Sequence, residues 1–375
     1  MAEAIVLFSG GLDSILAVRI LQTQDIGVTG LNIVTPFHDN SEEACRLGRD
    51  LGIEVLVETL GNDYAAMLKK PRWGFGKGVN PCIDCRTMML RRAYDVMVRR
   101  GADFVATGEV VGQRPHSQMM HQLSLIASES GLTGKLLRPL SAKVLPITEP
   151  ERSGLVCRDR LFSCTGRGRS GLIALARSRF GVEKIPQPST GCLLCEQSFA
   201  PRVRDMLKFT ERPTLWDAHV LPYGRHLRVN SSWKIVVARR LTDCQALVEL
   251  FGRDDRTRSF LMIPENFNGP AVLAINDGPQ EEPDEKIRAI AAGLMLRFVR
   301  ADKLPAEEPT ANLFDIPGHG TLVTLKRNQV ADELPMIEAR YKNQQHGGNT
   351  SSDTASSDTA NNENPVSQQP FDGGE

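Results

Sequence analysis

Two residue patterns in this 375-residue chain could do chemistry: a glycine loop near the N-terminus and two pairs of cysteines. The loop, residues 9–14 (SGGLDS), follows a short apolar run and precedes a segment whose apolar residues have helical spacing. Glycines let a backbone wrap around an anion, and the start of a helix presents free N–H groups to it. The pattern therefore predicts phosphate binding, although no lysine follows as in a Walker A loop. Asp13 would be unfavourable beside phosphates unless it holds Mg²⁺ or orients the loop.

The cysteine pairs are 82–85 (CIDC) and 192–195 (CLLC), and each lies near a predicted turn. No basic region precedes the N-terminal apolar run, so we expect no secretory signal and a cytoplasmic protein without structural disulfides. Three chemistries are open to converging thiols: a structural zinc ion, an iron–sulfur cluster, or a persulfide on a low-pKa thiolate. The other four cysteines lack this spacing and are interpreted as core or incidental.

Strands that alternate with helices are predicted to position these residues. Apolar runs at 4–8, 27–34, 53–59 and 102–107 are separated by segments of helical character, one of which is predicted over 85–100. Such alternation predicts a parallel α/β sheet with right-handed crossovers.

The rest of the chain differs in character. Residues 152–179 hold seven arginines and one acidic residue and are expected to be irregular. After a boundary near residues 201–213, four runs typical of strands and one helical pattern predict a smaller α+β domain, at 229–238, 259–263, 271–275, 322–325 and 284–299. From residue 341 the chain is polar and is predicted to be a disordered tail, because it cannot offset its ordering entropy.

The formal net charge of zero conceals opposite local charges. Residues 86–180 carry 16 basic and 7 acidic residues, whereas residues 305–375 carry 4 and 11. A basic middle can meet a polyanion, and the plainer alternative is a solvated face whose arginines pair with distant carboxylates. Because no apolar stretch approaches about 18 residues, we expect no membrane span.

The first two hundred residues resemble the PP-loop tRNA thiolation enzymes, both the tRNA-specific 2-thiouridylases and the ATPase domain of tRNA 4-thiouridine synthase. The matching text is LFSGGLDS at 7–14, NPCIDC at 80–85, ATGEVVGQRPHSQ at 106–118 and PSTGCLLC at 188–195. The resemblance implies an adenine nucleotide α-hydrolase-like parallel sheet that uses ATP and Mg²⁺. By this resemblance the ATP-binding residues are Leu7, Ser9, Gly10, Gly11, Asp13, Ser14, Ile33 and Gly108.

The resemblance also implies roles for the cysteines. In the 2-thiouridylases a catalytic cysteine follows Asn-Pro and a sulfur carrier follows Ser-Thr-Gly, so Asp13, Cys85 and Cys192 are the expected catalytic residues. The doubled C-x-x-C departs from that pattern and resembles thiolases with a [4Fe–4S] cluster on three cysteines. Cys82, Cys85 and Cys192 would then be ligands, with Cys195 a fourth ligand or a nearby thiol; zinc or no metal are the alternatives. Contacts with RNA or phosphate are expected from Arg114, Gln118, Arg167 and Arg169.

Residues 207–299 resemble, more weakly, the RNA-binding module of NFACT-type proteins, through GRHLRVNSSWKIVVAR at 224–239. The alternative for this region is a structural appendage used for dimerisation. The expected organisation is a PP-loop thiolation domain, an RNA-binding module, an extension and the tail, at 1–200, 205–300, 301–340 and 341–375.

Together these features predict an ATP-dependent tRNA sulfurtransferase that adenylates a uridine carbonyl oxygen and replaces it with sulfur, giving 4-thiouridine at position 8. The alternatives are 2-thiolation of uridine 34, a PP-loop sulfur or amide transferase for a small molecule, and a non-catalytic RNA-binding protein. The expected partners are tRNA and a sulfur donor, either sulfide or a persulfide-carrying protein, with a homodimer as a further option and no membrane.

Overall fold

The computed structural model describes residues 2–76, 78–187, 191–253, 259–278 and 285–338. The Ser-Thr pair at 189–190 and the tail predicted from residue 341 lie outside the described residues. Within them, five parallel strands form a first sheet in the order β3-β2-β1-β4-β5. These strands are Glu3–Leu7 (β1), Gly27–Val34 (β2), Glu54–Thr59 (β3), Phe104–Thr107 (β4) and Leu136–Leu137 (β5).

Helices cover both faces of this sheet. Alternate side chains of β1 point to opposite sides, so that Ile5 and Leu7 enter one buried cluster while Ala4 and Val6 enter the other. Burial on both faces explains why these strands read as continuous apolar runs. The helices up to residue 180 are Leu12–Gln22 (α1), Ser41–Leu51 (α2), Asn62–Lys69 (α3), Cys82–Arg100 (α4), Met120–Glu129 (α5), Glu149–Arg152 (α6) and Ser170–Phe180 (α7).

The strand order reverses between β1 and β4. From β1 the chain builds outward through β2 and β3, and it then returns to place β4 on the other side of β1. Ligands of open α/β sheets bind in the crevice that this reversal opens beyond the carboxyl ends of the strands. The glycine loop follows β1 and Gly108 follows β4, so both lie at this crevice.

A second sheet is antiparallel, with the order β11-β10-β8-β9-β7-β6. Helix α11 packs on one face and α10 on the other, which gives this part its own two buried clusters. Its strands are Arg225–Arg228 (β6), Trp233–Ala238 (β7), Ser259–Pro264 (β8), Ala271–Asn276 (β9), Thr310–Ile316 (β10) and His319–Thr324 (β11). The helices beyond residue 187 are Ala200–Phe209 (α8), Leu215–Val220 (α9), Leu241–Gly252 (α10), Glu285–Arg297 (α11) and Gln329–Glu333 (α12).

Buried ionic and polar contacts join the two sheets. Arg228 of β6 pairs with Asp205 of α8 and, at 2.7 Å, with Asp277 after β9. Helix α8 itself packs in the core of the first sheet, through Val203 among others. Thr210 then links both sides, because its hydroxyl donates to Asp277 at 2.9 Å and its carbonyl accepts from Lys69 Nζ at 2.9 Å.

The α/β fold with a parallel sheet and a smaller second domain is confirmed, with some differences in its elements. Helix α4 begins at Cys82, three residues before the predicted start, so both cysteines of the first pair lie in its first turn. Residues 170–180, expected to be irregular, form α7, because Leu172 and Ala176 are buried on one helix face while its arginines remain at the surface. Across the described residues, no helix is both long and apolar enough to cross a membrane.

Candidate functional site

The glycine loop forms a compact turn between β1 and α1. Gly10 has φ +67°, a backbone conformation that glycine adopts without strain. The Ser14 hydroxyl donates to the Gly11 carbonyl at 2.8 Å, which ties the loop to the first turn of α1. Asn40 supports it from outside by donating to the Ser9 carbonyl. The first N–H groups of the eleven-residue helix α1 therefore face the crevice.

Gly108 brings the segment after β4 against this loop. A Cβ atom at Gly108 would lie 2.4 Å from the backbone carbonyl of Asp13, closer than any real contact. Only glycine therefore lets the two segments approach to this distance.

The two carboxylate oxygens of Asp13 have different surroundings. Gln113 Nε2 donates to its Oδ2 at 2.9 Å, whereas its Oδ1 is buried and accepts no hydrogen bond within the described part of the chain. Burial raises the pKa of Asp13, although Gln113, Arg169 and Arg114 oppose that shift. An open, buried carboxylate oxygen of this kind fits a divalent cation, which prefers oxygen ligands.

The four cysteines of the two pairs line the same cavity, of about 240 Å³, as the glycine loop. Cys82 and Cys85 lie in the first turn of α4. Cys192 precedes a single 3-10 turn, Leu193–Cys195, and Cys195 is its last residue. Two backbone hydrogen bonds hold this turn: Leu193 N–H donates to the Phe37 carbonyl at 3.1 Å, and Val79 N–H donates to the Leu194 carbonyl at 3.4 Å.

Cys82 is the thiol most readily ionised in the cavity. The Cys195 thiol donates a hydrogen bond to it and Asn80 Nδ2 donates another at 3.1 Å, and together these hold the pKa of Cys82 at about 6 despite burial. The same hydrogen bond raises the pKa of Cys195. The shared hydrogen bond thus favours ionisation of Cys82 over that of Cys195.

The other two thiols are protonated. Burial raises the pKa of Cys85 to about 12 and that of Cys192 to about 11. Cys85 lies 4.0 Å from the hydroxyl of Tyr64, a fully buried residue. Cys82 therefore has the lowest pKa of these thiols, whereas the resemblance to the 2-thiouridylases marks Cys85 as catalytic, which stays a prediction.

A buried ionic group adjoins the cysteines. Glu109 Oε2 accepts from Arg138 at 3.0 Å, and its Oε1 lies 3.2 Å from Nε of Arg86. Burial alone would raise the pKa of Glu109, but the two arginines hold it below its ordinary value. Arg86 follows Cys85 on α4 and lines the cavity. Glu109 thereby orients a cation that lowers the pKa of both Cys82 and Cys85.

The cavity gathers most of the residues that the sequence singled out. Those that line it are Leu7, Ser9, Asp13, Ser14, Ile33, Cys82, Cys85, Gly108, Arg114, Gln118, Cys192 and Cys195. Gly10 and Gly11 shape the loop without lining the cavity. Arg169 donates to the Pro186 carbonyl at 3.0 Å and lies near enough to lower the pKa of Asp13, whereas Arg167 is exposed outside the cavity.

Sequence reasoning missed Gln113, Arg86 and Glu109. Gln113 and Glu109 lie inside the motif at 106–118, so this motif is the sequence feature that could have identified them. Arg86 carried no signal of its own, because its role depends on Glu109, which is 23 positions away in the sequence. Buried side-chain oxygens of Asn32, Asn80 and Gln118 accept no hydrogen bond from the residues that the structure describes, which leaves polar atoms for a ligand to satisfy.

Among the described residues, the cysteines do not form a ready-made site for a single metal ion. Within the described residues, no three His, Cys, Asp or Glu side chains are arranged to hold one. A structural zinc needs four ligands at about 2.3 Å. Zinc and a [4Fe–4S] cluster therefore both stay predictions for the cysteine pairs.

Part of the chain is similar to curated tRNA-specific 2-thiouridylases. It is 32% identical over 111 residues to the enzyme MnmA of Syntrophomonas wolfei subsp. wolfei, a match that covers 28% of this chain and 32% of that protein. It is 29% identical over 125 residues to MnmA of Thiobacillus denitrificans, covering 30% and 35%. The chain thus matches about a third of the length of these relatives.

Two solved structures are also similar. One is a 4-thiouridine synthetase in complex with RNA and bound ATP, with 25% identity, a TM-score of 0.31 and coverage of 38% of this chain and 37% of that one. The other is described as a predicted subunit of a tRNA methyltransferase from Methanocaldococcus jannaschii, with 18% identity, a TM-score of 0.27 and coverage of 36% and 67%.

Residues 224–308 match the NFACT protein RNA binding domain family. This match begins at the glycine that opens the sequence text predicted to resemble it. Over part of its length the chain is thus similar to PP-loop tRNA thiolation enzymes, and its second sheet carries a region similar to the NFACT RNA-binding domain.

Proposed function

We propose that this protein is an ATP-dependent sulfurtransferase that replaces a carbonyl oxygen of a tRNA uridine with sulfur. The observation that carries the proposal is the single cavity shared by the SGGLDS loop and four cysteines. A phosphate-binding loop alone would suit many ATP-using enzymes. Thiols within the same cavity add a sulfur chemistry, and the names of the relatives supply the substrate class.

The glycine loop is proposed to bind the phosphates of ATP. Its backbone N–H groups and the positive end of α1 favour negative charge. The free Oδ1 of Asp13 is proposed to hold Mg²⁺, which would neutralise the pyrophosphate leaving group. Arg114 lines the same cavity and supplies further positive charge.

The proposed reaction has two steps. The uridine carbonyl oxygen first attacks the α-phosphorus of ATP, and pyrophosphate leaves. A sulfur nucleophile then attacks the activated ring carbon, and AMP leaves with the oxygen. The base must leave its stack to enter the cavity, because the reacting carbon is inaccessible within a helix. Adenylation is needed because an oxygen bound as carbonyl is a poor leaving group.

Two sources of sulfur are compatible with the cysteines. Sulfide can attack directly and lose its proton to water. Alternatively, a persulfide on Cys82 attacks through its outer sulfur, and the Cys195 thiol then attacks the inner sulfur. That step breaks the S–S bond, releases thiouridine and leaves a Cys82–Cys195 disulfide, which an external thiol reductant must reopen. The hydrogen bond between these two thiols supports this choice of pair over Cys85 and Cys192.

A [4Fe–4S] cluster remains our prediction for the cysteine side of the cavity. Four thiols in one cavity are the donor type that such a cluster takes, and its ligands lie further apart than those around one ion. Cys82, Cys85 and Cys192 would hold it, with Cys195 as a fourth ligand or a neighbouring thiol. When bound, an iron with an open position supplies a site for hydrosulfide.

For the modified position we propose 4-thiouridine at position 8, with 2-thiouridine at position 34 as the alternative. The doubled cysteine pair supports the first, and the 2-thiouridylase relatives support the second. The similarity of residues 224–308 to an RNA-binding domain supports tRNA over a small-molecule acceptor. The shared cavity of the glycine loop and the cysteines counts against a non-catalytic RNA-binding protein. A tRNA substrate would place the activity in the cytoplasm; the sulfur donor and a homodimer remain predictions.

The decisive experiment uses protein purified without oxygen, unmodified tRNA, ATP and sulfide. Nucleoside mass spectrometry separates 4-thiouridine from 2-thiouridine, and AMP and pyrophosphate are measured in parallel. We expect thiolation to be lost in Asp13→Asn and Cys82→Ala but kept in Cys157→Ala, whose thiol is exposed and outside the cavity. Near four iron and four sulfide per chain, lost in Cys82→Ala, would support the cluster. If the wild-type protein thiolates tRNA with neither sulfide nor a persulfide donor, the proposal is wrong.

A further inference from the structure

Two large aromatic side chains are exposed in the loop that leads into the first cysteine pair. Trp73 is 37% and Phe75 40% exposed, whereas Trp233 in the second sheet is 3% exposed. Neighbouring exposed aromatics of this size are informative, because burial against the protein would stabilise them. They lie between α3 and α4, seven to nine residues before Cys82.

The charged residues of the loop that carries these aromatics are all basic in the sequence. Between Tyr64 and Asp84 the sequence contains four basic residues and no acidic residue. Arg72 is one of them, and its guanidinium lies 5.0 Å from the centre of the Trp73 ring. Aromatics interleaved with cations are the composition that binds the bases and phosphates of unpaired nucleic acid.

The loop is anchored to the cysteine site. The buried carboxylate of Asp84, between the two cysteines of the first pair, accepts the backbone N–H of Arg72 at 2.9 Å and of Trp73 at 3.1 Å. On its other side, Gly76 N–H donates to the Asn80 carbonyl at 2.9 Å. The exposed rings therefore project from a backbone that is fixed on α4.

A groove on the opposite side of α4 extends this surface. The cavity meets the helix at Cys82, Cys85 and Arg86. The groove is lined by Trp73 together with three basic and four acidic residues: Arg72, Arg91, Arg92, Asp63, Asp84, Asp95 and Glu129. A helix with its side chains is about 10 Å across. That separation is short enough for one strand of RNA to cross the start of α4 with one base in the cavity and its neighbours over the groove.

We propose that Trp73 and Phe75 form a stacking platform for the unpaired RNA bases that flank the reacting uridine. The platform rests on the proposed function for its substrate, but it adds a requirement of its own. The substrate must offer stackable unpaired bases beside the uridine, because a base-paired neighbour cannot lie flat on either ring. Arg72 and Arg91 both pair with Glu129 but keep more than half of their side-chain surface exposed, and they would meet the phosphates of the same segment.

The test is binding of labelled RNA, measured by fluorescence anisotropy, with two probes: unmodified tRNA and a fully paired RNA duplex of similar length. We expect the double variant Trp73→Ala/Phe75→Ala to lose roughly tenfold or more in affinity for tRNA and little for the duplex. Trp73→Phe should retain most of the tRNA affinity, because it keeps a flat ring. Val98→Ala is the matched control, since Val98 is 59% exposed on the distant end of α4.

The thiolation assay tests the proposed reaction, and the binding assay tests the platform independently of it. If wild-type protein binds tRNA through Trp73 and Phe75 but makes no thiouridine, the result supports the platform and contradicts the proposed reaction. If it thiolates tRNA and the double variant binds tRNA as tightly as wild type, the platform is wrong. The platform is also overturned if the double variant keeps its tRNA affinity and sulfide-dependent activity but loses transfer from a persulfide-carrying protein, because the loop would then dock that protein.

Discussion

The four thiols of the cavity differ in protonation although they lie within one small volume. Hydrogen bonds from Cys195 and Asn80 lower the pKa of Cys82, whereas burial raises the pKa of Cys85 and Cys192. A thiolate is both the nucleophile and the metal ligand among the forms of cysteine. Whichever sulfur chemistry the site performs, we expect it to begin at Cys82.

Alkylation of the metal-free protein tests this ionisation. The rate at which iodoacetamide modifies Cys82 should rise with pH to half its maximum near pH 6. In Cys195→Ala the midpoint should move to higher pH, because the thiolate loses its first hydrogen-bond donor. Mass spectrometry of the labelled peptide gives the rate, and Cys157→Ala should leave the midpoint at its wild-type value. A wild-type midpoint near pH 9 would contradict the assignment.

Glu109 provides a second prediction at this scale. Glu109→Gln leaves the buried Arg138 without its charged partner, so we expect the free energy of unfolding to fall by about 3 kcal/mol. Glu43→Gln removes a partner of Arg46 that is closer, at 2.5 Å, but exposed, and it should have almost no effect. Urea unfolding measures both. Because the pKa of Glu109 is lowered in the fold, its stabilising contribution should be present above pH 4.5 and decline as the pH falls below that value.

At the scale of elements, the site depends on two segments that approach through Gly108. We expect Gly108→Ala to push the segment after β4 away from α1 and to weaken ATP binding at least tenfold. Its Cβ would meet the Asp13 backbone, which cannot turn aside as a flexible side chain would. Gly171→Ala, in α7 with open space around it, is the control and should bind ATP normally. Calorimetry with a non-hydrolysable ATP analogue, on variants with wild-type circular dichroism, decides the outcome.

The elements also show what sequence patterns can and cannot predict. The predicted bounds of β1 to β4 lie within two residues of the observed ones, because strands buried on both faces read as apolar runs. Strand β6 was missed because its sequence, RHLR, is charged. Its His226 and Arg228 are nevertheless buried, and the partners of Arg228 come from α8 and from the end of β9. The cavity's residue types were predicted, but the thiolate was not, since Cys82 and Cys195 are far apart in sequence.

At the scale of the whole molecule, Arg228 holds together two sheets with separate cores. Arg228→Ala should lower the free energy of unfolding by about 3 kcal/mol or more, because Asp205 and Asp277 would remain buried with less compensation. Arg253→Ala, which breaks only an exposed pair, should cost little. Urea unfolding followed by tryptophan fluorescence compares the two. We also expect stability to fall as the pH drops below 3.8, since the folded pKa of Asp277 is lower than that.

The contacts of Thr210 have a consequence for substrate choice. One residue binds both Lys69, at the end of the helix before the aromatic loop, and Asp277 of the second sheet. The gap between the aromatic loop and the NFACT-like region is therefore set by buried contacts and not by a linker. An RNA that reaches both gains avidity, whereas one of the wrong length or curvature engages only one. Under the proposed function, this fixed spacing would favour tRNA by its dimensions, independently of its base sequence.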